Sequence, residues 1–194
     1  MSSIPIKDSD VSGFVPGRTR PGIFWCYHFF VKTSALYLRT VVFGINDSLV
    51  STVGFLAGIS VAGVPRATIV LTGIIYALVE AFSMAMGNFL SEESAEEFMS
   101  KANVNERPSE IAGVFMFLSS ALAALIPLVP YLFFSGGVAL LVSASASILG
   151  LFIVGALSAH LSHLPVVWRG TRMAILGGAA IAMGVAVGLL MPVV

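Results

Sequence analysis

The chain has 194 residues, of which 57% are apolar and only 10% charged. Soluble domains carry about a quarter of charged residues, so a soluble globular fold is excluded and the chain must be read by membrane spans. Ten basic and ten acidic side chains cancel to zero net charge, which gives no hint of a nucleic-acid partner. The single cysteine, Cys26, excludes an internal disulfide and any cysteine-built metal cage.

Residues 1–22 are polar, carry Pro5, Pro16 and Pro21, and lack the apolar core of a signal peptide. They read as a flexible arm. Residues 23–39 are rich in aromatics and interrupted by His28, Lys32 and Arg39. That pattern suits a helix lying in the headgroup region, where Trp and Tyr are at home. It equally suits the start of the first spanning helix. The expected domains are a cytoplasmic arm with an interfacial helix over 1–40 and a five-helix transmembrane domain over 41–194.

Five runs are long enough to cross ~30 Å of hydrocarbon, which takes about 20 residues. They cover roughly 41–64, 67–90, 111–134, 137–160 and 173–194. Val64-Pro65-Arg66 and Ser135-Gly136-Gly137 read as tight turns, residues 91–110 as a short acidic loop, and His160 to Arg172 as a polar link. The fold class is therefore all-α, integral to the membrane, with five spanning helices. Lys7, Arg18, Arg20, Lys32 and Arg39 precede the first span, Lys101 and Arg107 follow the second, and Arg169 and Arg172 follow the fourth. Only Arg66 falls on the opposite side, nine against one. By the positive-inside rule the N-terminus is cytoplasmic and the C-terminus outside.

Small residues mark helix contacts in lipid. Gly44, Asp47, Ser51, Gly54 and Gly58 recur at intervals of three and four along the first span, and Gly184 and Gly188 form a G-x-x-x-G in the last. Pro127 and Pro130 remove backbone donors from the third span and are expected to break that helix near a pathway.

Most acids lie outside the spans: Asp8 and Asp10 in the arm, and Glu92, Glu93, Glu96, Glu97, Glu106 and Glu110 in or beside the acidic loop. Asp47 and Glu80 alone are intramembrane, with no Lys or Arg inside the spans to pair with them. A charge at that depth costs about 2.5–3.5 kcal/mol on insertion scales, so it marks a functional site. Asp47 and Met84 each stand six residues from the cytoplasmic end of their span, roughly 9 Å deep at 1.5 Å per residue. Glu80 lies one turn deeper on the face of Met84. Two acids and a thioether without a basic partner call for a cation. The alternative is a pair of protonated carboxyls bonded across a helix interface. Oxygen with sulfur ligation fits Fe(II) or a similar first-row ion better than Mg(II) or Ca(II), although a methionine in an apolar helix is ordinarily packing.

The row Glu92, Glu93, Glu96 and Glu97 continues the helix of Glu80 as an acidic cytoplasmic mouth that concentrates cations, or as an ordinary solvated helix end. His160 and His163 have metal-ligand spacing but no third ligand nearby, which favours an interfacial loop.

These residues together resemble the vacuolar iron transporter family. Three stretches carry the resemblance: Arg39-Thr-Val-Val-Phe-Gly-Ile-Asn-Asp47-Ser-Leu-Val-Ser, Glu80-Ala-Phe-Ser-Met84-Ala-Met-Gly-Asn88-Phe-Leu-Ser91, and Leu125-Ile-Pro127-Leu-Val-Pro130-Tyr. The end, Gly155 through Met173, is similar as well. The resemblance implies a five-helix homodimer that exchanges Fe(II), often also Mn(II), for protons along its two-fold interface. It makes Asp47 and Met84 metal ligands and Glu80 a metal or proton site. Ser48 stands where the family usually has Gly, and Asn88 where it usually has Glu. The short 91–110 connection leaves no room for the helical metal-binding domain of plant and protist members, as in bacterial, archaeal and nodulin-like ones.

The expected function is thus a proton-coupled Fe(II)/Mn(II) exporter, not an enzyme. Its partners are the metal, protons, the bilayer and a second copy, and it keeps no permanently bound cofactor. It would sit in the cell membrane of a prokaryote or the vacuolar membrane of a eukaryote. The rivals are an intramembrane hydrolase using Asp47 and Glu80, or a non-transporting adaptor. An aspartyl hydrolase needs two catalytic Asp, a zinc one clustered His, and an adaptor leaves the buried acids unexplained. Orientation is open to test by cysteine scanning in a Cys26-free background. An impermeant thiol reagent should label Arg66→Cys from outside and Lys101→Cys only from the cytoplasm; the reverse pattern inverts the transport direction.

Overall fold

The computed structural model describes residues 21–100, 107–161 and 165–192. Two compact units divide the chain, Met1–Ala35 and Leu36–Val194, and the described side chains all lie in the second. The helices are α1 (Pro21–Val61), α2 (Arg66–Ser100), α3 (Arg107–Phe133), α4 (Gly136–Leu161) and α5 (Val166–Leu190). Each contains a stretch long and apolar enough to cross a membrane: Tyr37–Val61, Arg66–Ala95, Glu110–Phe133, Gly136–His160 and Val166–Leu190. No strand occurs among the described residues. In hydrocarbon every backbone polar group must be satisfied within its own segment, and helices do this. The chain is an all-α, multi-pass integral membrane protein.

The helices are longer than the hydropathy of the sequence suggests. Helix α1 takes in residues 23–39 without interruption, since no Gly or Pro stands between Ile23 and Phe43. Helix α2 runs on to Ser100, so Glu92, Glu93, Glu96 and Glu97, expected in a loop, lie on helix. Glu, Ala and Met are good helix formers in water as in lipid. Helix α5 begins at Val166 rather than 173, directly after Pro165. Proline is at home at a helix start, and long arginine side chains reach back to the headgroups without ending the helix.

Helix α1 ends on Gly63, whose φ of 86° favours glycine. The N–H of Gly63 bonds the Ser60 carbonyl (3.3 Å) and that of Val64 the Ile59 carbonyl (3.3 Å), the paired bonds of a Schellman cap. Pro65 then prevents continuation. Arg66 opens α2 and donates from Nε to the Tyr131 carbonyl at 2.8 Å and from Nη2 to the Leu132 carbonyl, capping the end of α3. The expected break at Pro127 and Pro130 does not occur, because α3 passes through both prolines as one helix. Pro127 is fully buried, and Ser143 of α4 donates to its carbonyl at 2.7 Å.

Helix α1 is the hub. Leu49, Val53, Leu56 and Ala57 are wholly buried. Leu56 packs with Ile69, Leu128, Tyr131 and Ala139, and Leu49 with Ala123 and Leu151. The small residues of the first span divide between neighbours. Gly44 faces Met116, Ser119 and Ser120 of α3, whereas Gly54 and Gly58 lie against Ala180, Gly184 and Gly188 of α5. A Cβ on Gly184 would stand 2.0 Å from the Gly54 carbonyl oxygen, and one on Gly188 2.2 Å from that of Gly58. Backbone, not a flexible side chain, is what it would strike. Gly184→Ala should therefore lower stability by roughly 1–3 kcal/mol, the usual cost of overpacking. Gly178→Ala, whose Cβ meets nothing within 4 Å, should not. Thermal denaturation of detergent-solubilised protein decides, and equal midpoints for the two variants would refute the close α1–α5 contact.

Candidate intramembrane metal site

Asp47 from α1 and Thr72, Tyr76, Glu80, Ser83 and Met84 from α2 line one cavity of about 570 Å³. Phe55, Ile75 and Val79 complete its wall. Thr72, Tyr76, Glu80 and Met84 follow at intervals of four and so fall on one helix face. The three residues singled out from sequence are thus brought together from two helices. Asp47, Glu80 and Met84 are all half-buried.

Each has distinct surroundings. The Tyr76 hydroxyl donates to Glu80 Oε1 at 3.3 Å, and its ring is held by stacking on Phe55 with centroids 4.5 Å apart. Glu80 Oε2 is buried and has no hydrogen-bond partner among the described residues. Ser51 donates to the Asp47 backbone carbonyl at 2.8 Å, leaving the Asp47 carboxyl to the cavity. Met84 Sδ accepts from Ser120 of α3 at 3.7 Å, which orients the thioether. Neither carboxyl forms an ion pair among the described residues. Met86, two positions after Met84, is exposed.

The described residues alone offer few ligands for a metal. Among the described residues no three His, Cys, Asp or Glu converge. Two carboxyls and a thioether fall short of the six or so ligands that hard divalent cations take. The cavity is flanked by the exposed side chains of Ile75 and Val79, at 53% and 64% of full exposure, so it opens to the outer face of α2.

The acidic row divides. Glu92 is largely covered and pairs with Arg39 of α1, bridging the two helices above the cavity. Glu93 is half-buried, and the Glu96 and Glu97 side chains lie outside the described residues. Asn88 projects a buried Nδ2 with no partner among the described residues. Pro127 and Pro130 do not line the cavity. His160 is exposed, and His163, Cys26 and His28 lie outside the described side chains. Sequence reasoning assigned no role to Tyr76 or Ser120. Tyr76 was legible in the four-residue spacing; Ser120, 36 residues from Met84, left no local signal.

Fold and cavity together define a multi-pass helical membrane protein with an acid-lined intramembrane cavity. Comparison with known proteins identifies its family. The model of the VIT family matches residues 38–111 and 99–189. Vacuolar iron transporter homolog 1 of Oryza sativa subsp. japonica is 30% identical over an alignment of 205 residues, covering 97% of this chain and 86% of that protein. Vacuolar iron transporter homolog 4 of Arabidopsis thaliana is 32% identical over 160 residues, 77% of this chain and 81% of its own. The chain belongs to the VIT family.

The Arg39–Glu92 contact is measurable. The Arg39 side chain is 69% exposed, so the pair's coupling should be that of a surface bridge, about 0.2–1 kcal/mol. A double-mutant cycle with Arg39→Gln and Glu92→Gln, read by denaturation in detergent, should return that value and lose it at high salt. Additive effects would mean the helices are not tied there.

Proposed function

We propose that this chain is a proton-coupled transporter of divalent first-row cations, Fe(II) or Mn(II), moving metal out of the cytoplasm. The observation that carries this is the convergence of Asp47, Glu80 and Met84 on one intramembrane cavity without a basic partner. The relatives' names speak for iron. Their naming as vacuolar speaks for a vacuolar membrane in a eukaryote, and a prokaryotic chain would use the cell membrane.

The chemistry follows from competition for the same oxygens. A carboxyl removed from water favours its neutral, protonated form. A divalent cation favours the ionised form and expels the proton as it binds. Metal entering from the cytoplasmic end would displace protons from Asp47 and Glu80, and protons arriving from the other side would help release it. The unpartnered Glu80 oxygen is available to the metal, while Tyr76 steadies the other. Met84 adds a soft ligand that favours Fe(II) over Mg(II) and Ca(II). No resident cofactor is needed.

A homodimer completes the shell. Two copies meeting along α1 and α2 would double the ligands to four carboxyls and two thioethers and cover the open flank at Ile75 and Val79. The row of glutamates at the end of α2 would raise cation concentration at the mouth, with Glu92 partly cancelled by Arg39. The arm before residue 40 stays on the cytoplasmic side in this arrangement.

The test is metal-driven proton movement in sealed liposomes loaded with a pH dye. Asp47→Asn and Glu80→Gln keep size and hydrogen bonding but cannot exchange a proton. Each should insert normally yet lose at least about ten-fold in rate, which corresponds to ~1.4 kcal/mol. Met84→Leu should depress Fe(II) transport more than it alters competition by Mg(II) or Ca(II). Neutralising Glu92, Glu93, Glu96 and Glu97 together should raise the apparent KM, most clearly at low salt. Wild-type exchange by both carboxyl variants would place the site elsewhere and defeat the proposal.

A further inference from the structure

Asn46, the neighbour of Asp47 on α1, opens on a different cavity of about 440 Å³. Pro165, Trp168, Arg169, Arg172 and Met173 at the start of α5 line it with Asn46. Its chemistry is opposite in sign to that of the metal cavity: two guanidiniums and no acid. Arg169 and Arg172 are three apart on one helix and so share a face. Both are exposed, and neither makes an ion pair among the described residues. The α5 amino terminus adds to this, since Pro165 at the N-cap supplies no side-chain hydrogen bond to the first-turn N–H groups. Asn46 Oδ1 is buried and has no partner among the described residues. An anion that also carries a hydroxyl would satisfy it.

We infer that this cavity seats a phosphate-bearing anion with a hydroxyl group, of the kind that phosphatidylglycerol and phosphatidylinositol present at the membrane surface. Arginine pairs match phosphate oxygens as forked donors. Basic pockets between spanning helices are where anionic headgroups bind. The location agrees. The span of α5 begins at Val166, and Val167 and Trp168 are 71% and 70% exposed, an apolar and an aromatic contact at headgroup level. Free phosphate shares the chemistry but gains nothing from these two side chains, so the headgroup is the better occupant.

Trp168 lies in the site and reports on it. The chain has two tryptophans, so Trp25→Phe leaves Trp168 as the only one. The full-length Trp25→Phe protein is reconstituted in phosphatidylcholine vesicles containing a graded fraction of dibrominated phosphatidylglycerol or dibrominated phosphatidylcholine. Bromine quenches tryptophan only at close range. Each arginine near the surface favours anionic lipid about five-fold, so the pair should lower the half-quenching fraction for phosphatidylglycerol by about 25-fold. Arg169→Gln with Arg172→Gln should bring the two lipids close to equality, whereas the double lysine variant should keep most of the preference. Raising the salt concentration on the arginine-intact protein should also shrink it, which gives the same discrimination without a change at Arg169 or Arg172. Recovery of fluorescence on adding millimolar inorganic phosphate would assign the site to the free anion rather than the headgroup. Equal quenching by the two lipids, or a preference that survives the glutamine pair, overturns the inference.

Discussion

The rest of the structure depends on how closely the backbone of α1 approaches α5. Gly54 and Gly58 meet Ala180, Gly184 and Gly188 through the carbonyls and α-carbons of the two helices, with only the Ala180 methyl between them. In lipid there is no hydrophobic drive to bring helices together, so packing of this kind holds them. The contact fixes both the depth and the rotation of α1. Once these are set, Gly44 faces Ser119 and Ser120, Leu49 packs against Ala123 and Leu151, and Phe55 stacks on Tyr76. Asp47 is then left pointing at the face of α2 that carries Glu80 and Met84. At 100° per residue Asp47 stands within about 20° of Gly54 and Gly58, so the acid and the glycine contact share one face of α1 at different depths.

A membrane protein rarely leaves a buried carboxyl oxygen without a partner, because the alternative in hydrocarbon is a proton or a cation. Glu80 Oε2 is in that position, and Thr52 Oγ1, also buried, has no partner among the described residues. Tyr76 engages only the other oxygen, at the long end of hydrogen-bond range. A structural pair of protonated carboxyls would be expected to bond one another or a serine. Here they instead line a common space that opens outward. That arrangement suits exchange of a ligand better than the holding together of two helices.

The five spans and the two intramembrane acids were legible in the sequence for one reason: charge is so rare in this chain that each occurrence carries information. The pairing of Asp47 with Glu80 and Met84 followed from counting depth inward from the span ends. Helix limits were less legible, because hydropathy stops at the first polar residue and hydrogen bonding does not. Ser91 to Ser100 and Val166 to Arg172 are helical for that reason. The prolines misled in the opposite sense. A helix can lose the donors of Pro127 and Pro130 and stay helical where a buried serine such as Ser143 adds a bond from the next helix. The small stripe of α1 reads as one face, yet at 100° per residue Gly44 and Gly54 stand about 80° apart. Its two edges meet different partners. Contacts such as Ser120 with Met84 depend on α3 packing beside α2 and have no local trace.

The continuity of α2 separates two electrostatic roles that sequence order runs together. Glu93 and Glu80 are 13 positions apart on one helix, about 20 Å at 1.5 Å per residue. That exceeds the Debye length of about 8 Å at physiological ionic strength. In the proposed function the outer glutamates would therefore add little to the hold on a cation between Asp47 and Glu80. Their effect would be to raise the concentration of cations at the helix end. Arg39 works against even this, because its pairing with Glu92 removes a negative charge from the row on the side nearest the cavity. In the proposed pathway an ion moving inward along α2 would pass from the outer acids to the Arg39–Glu92 pair and then to Asn88, which carries no carboxyl. On that reading binding strength would reside in the inner carboxyls and the thioether, and the outer row would set the rate of arrival.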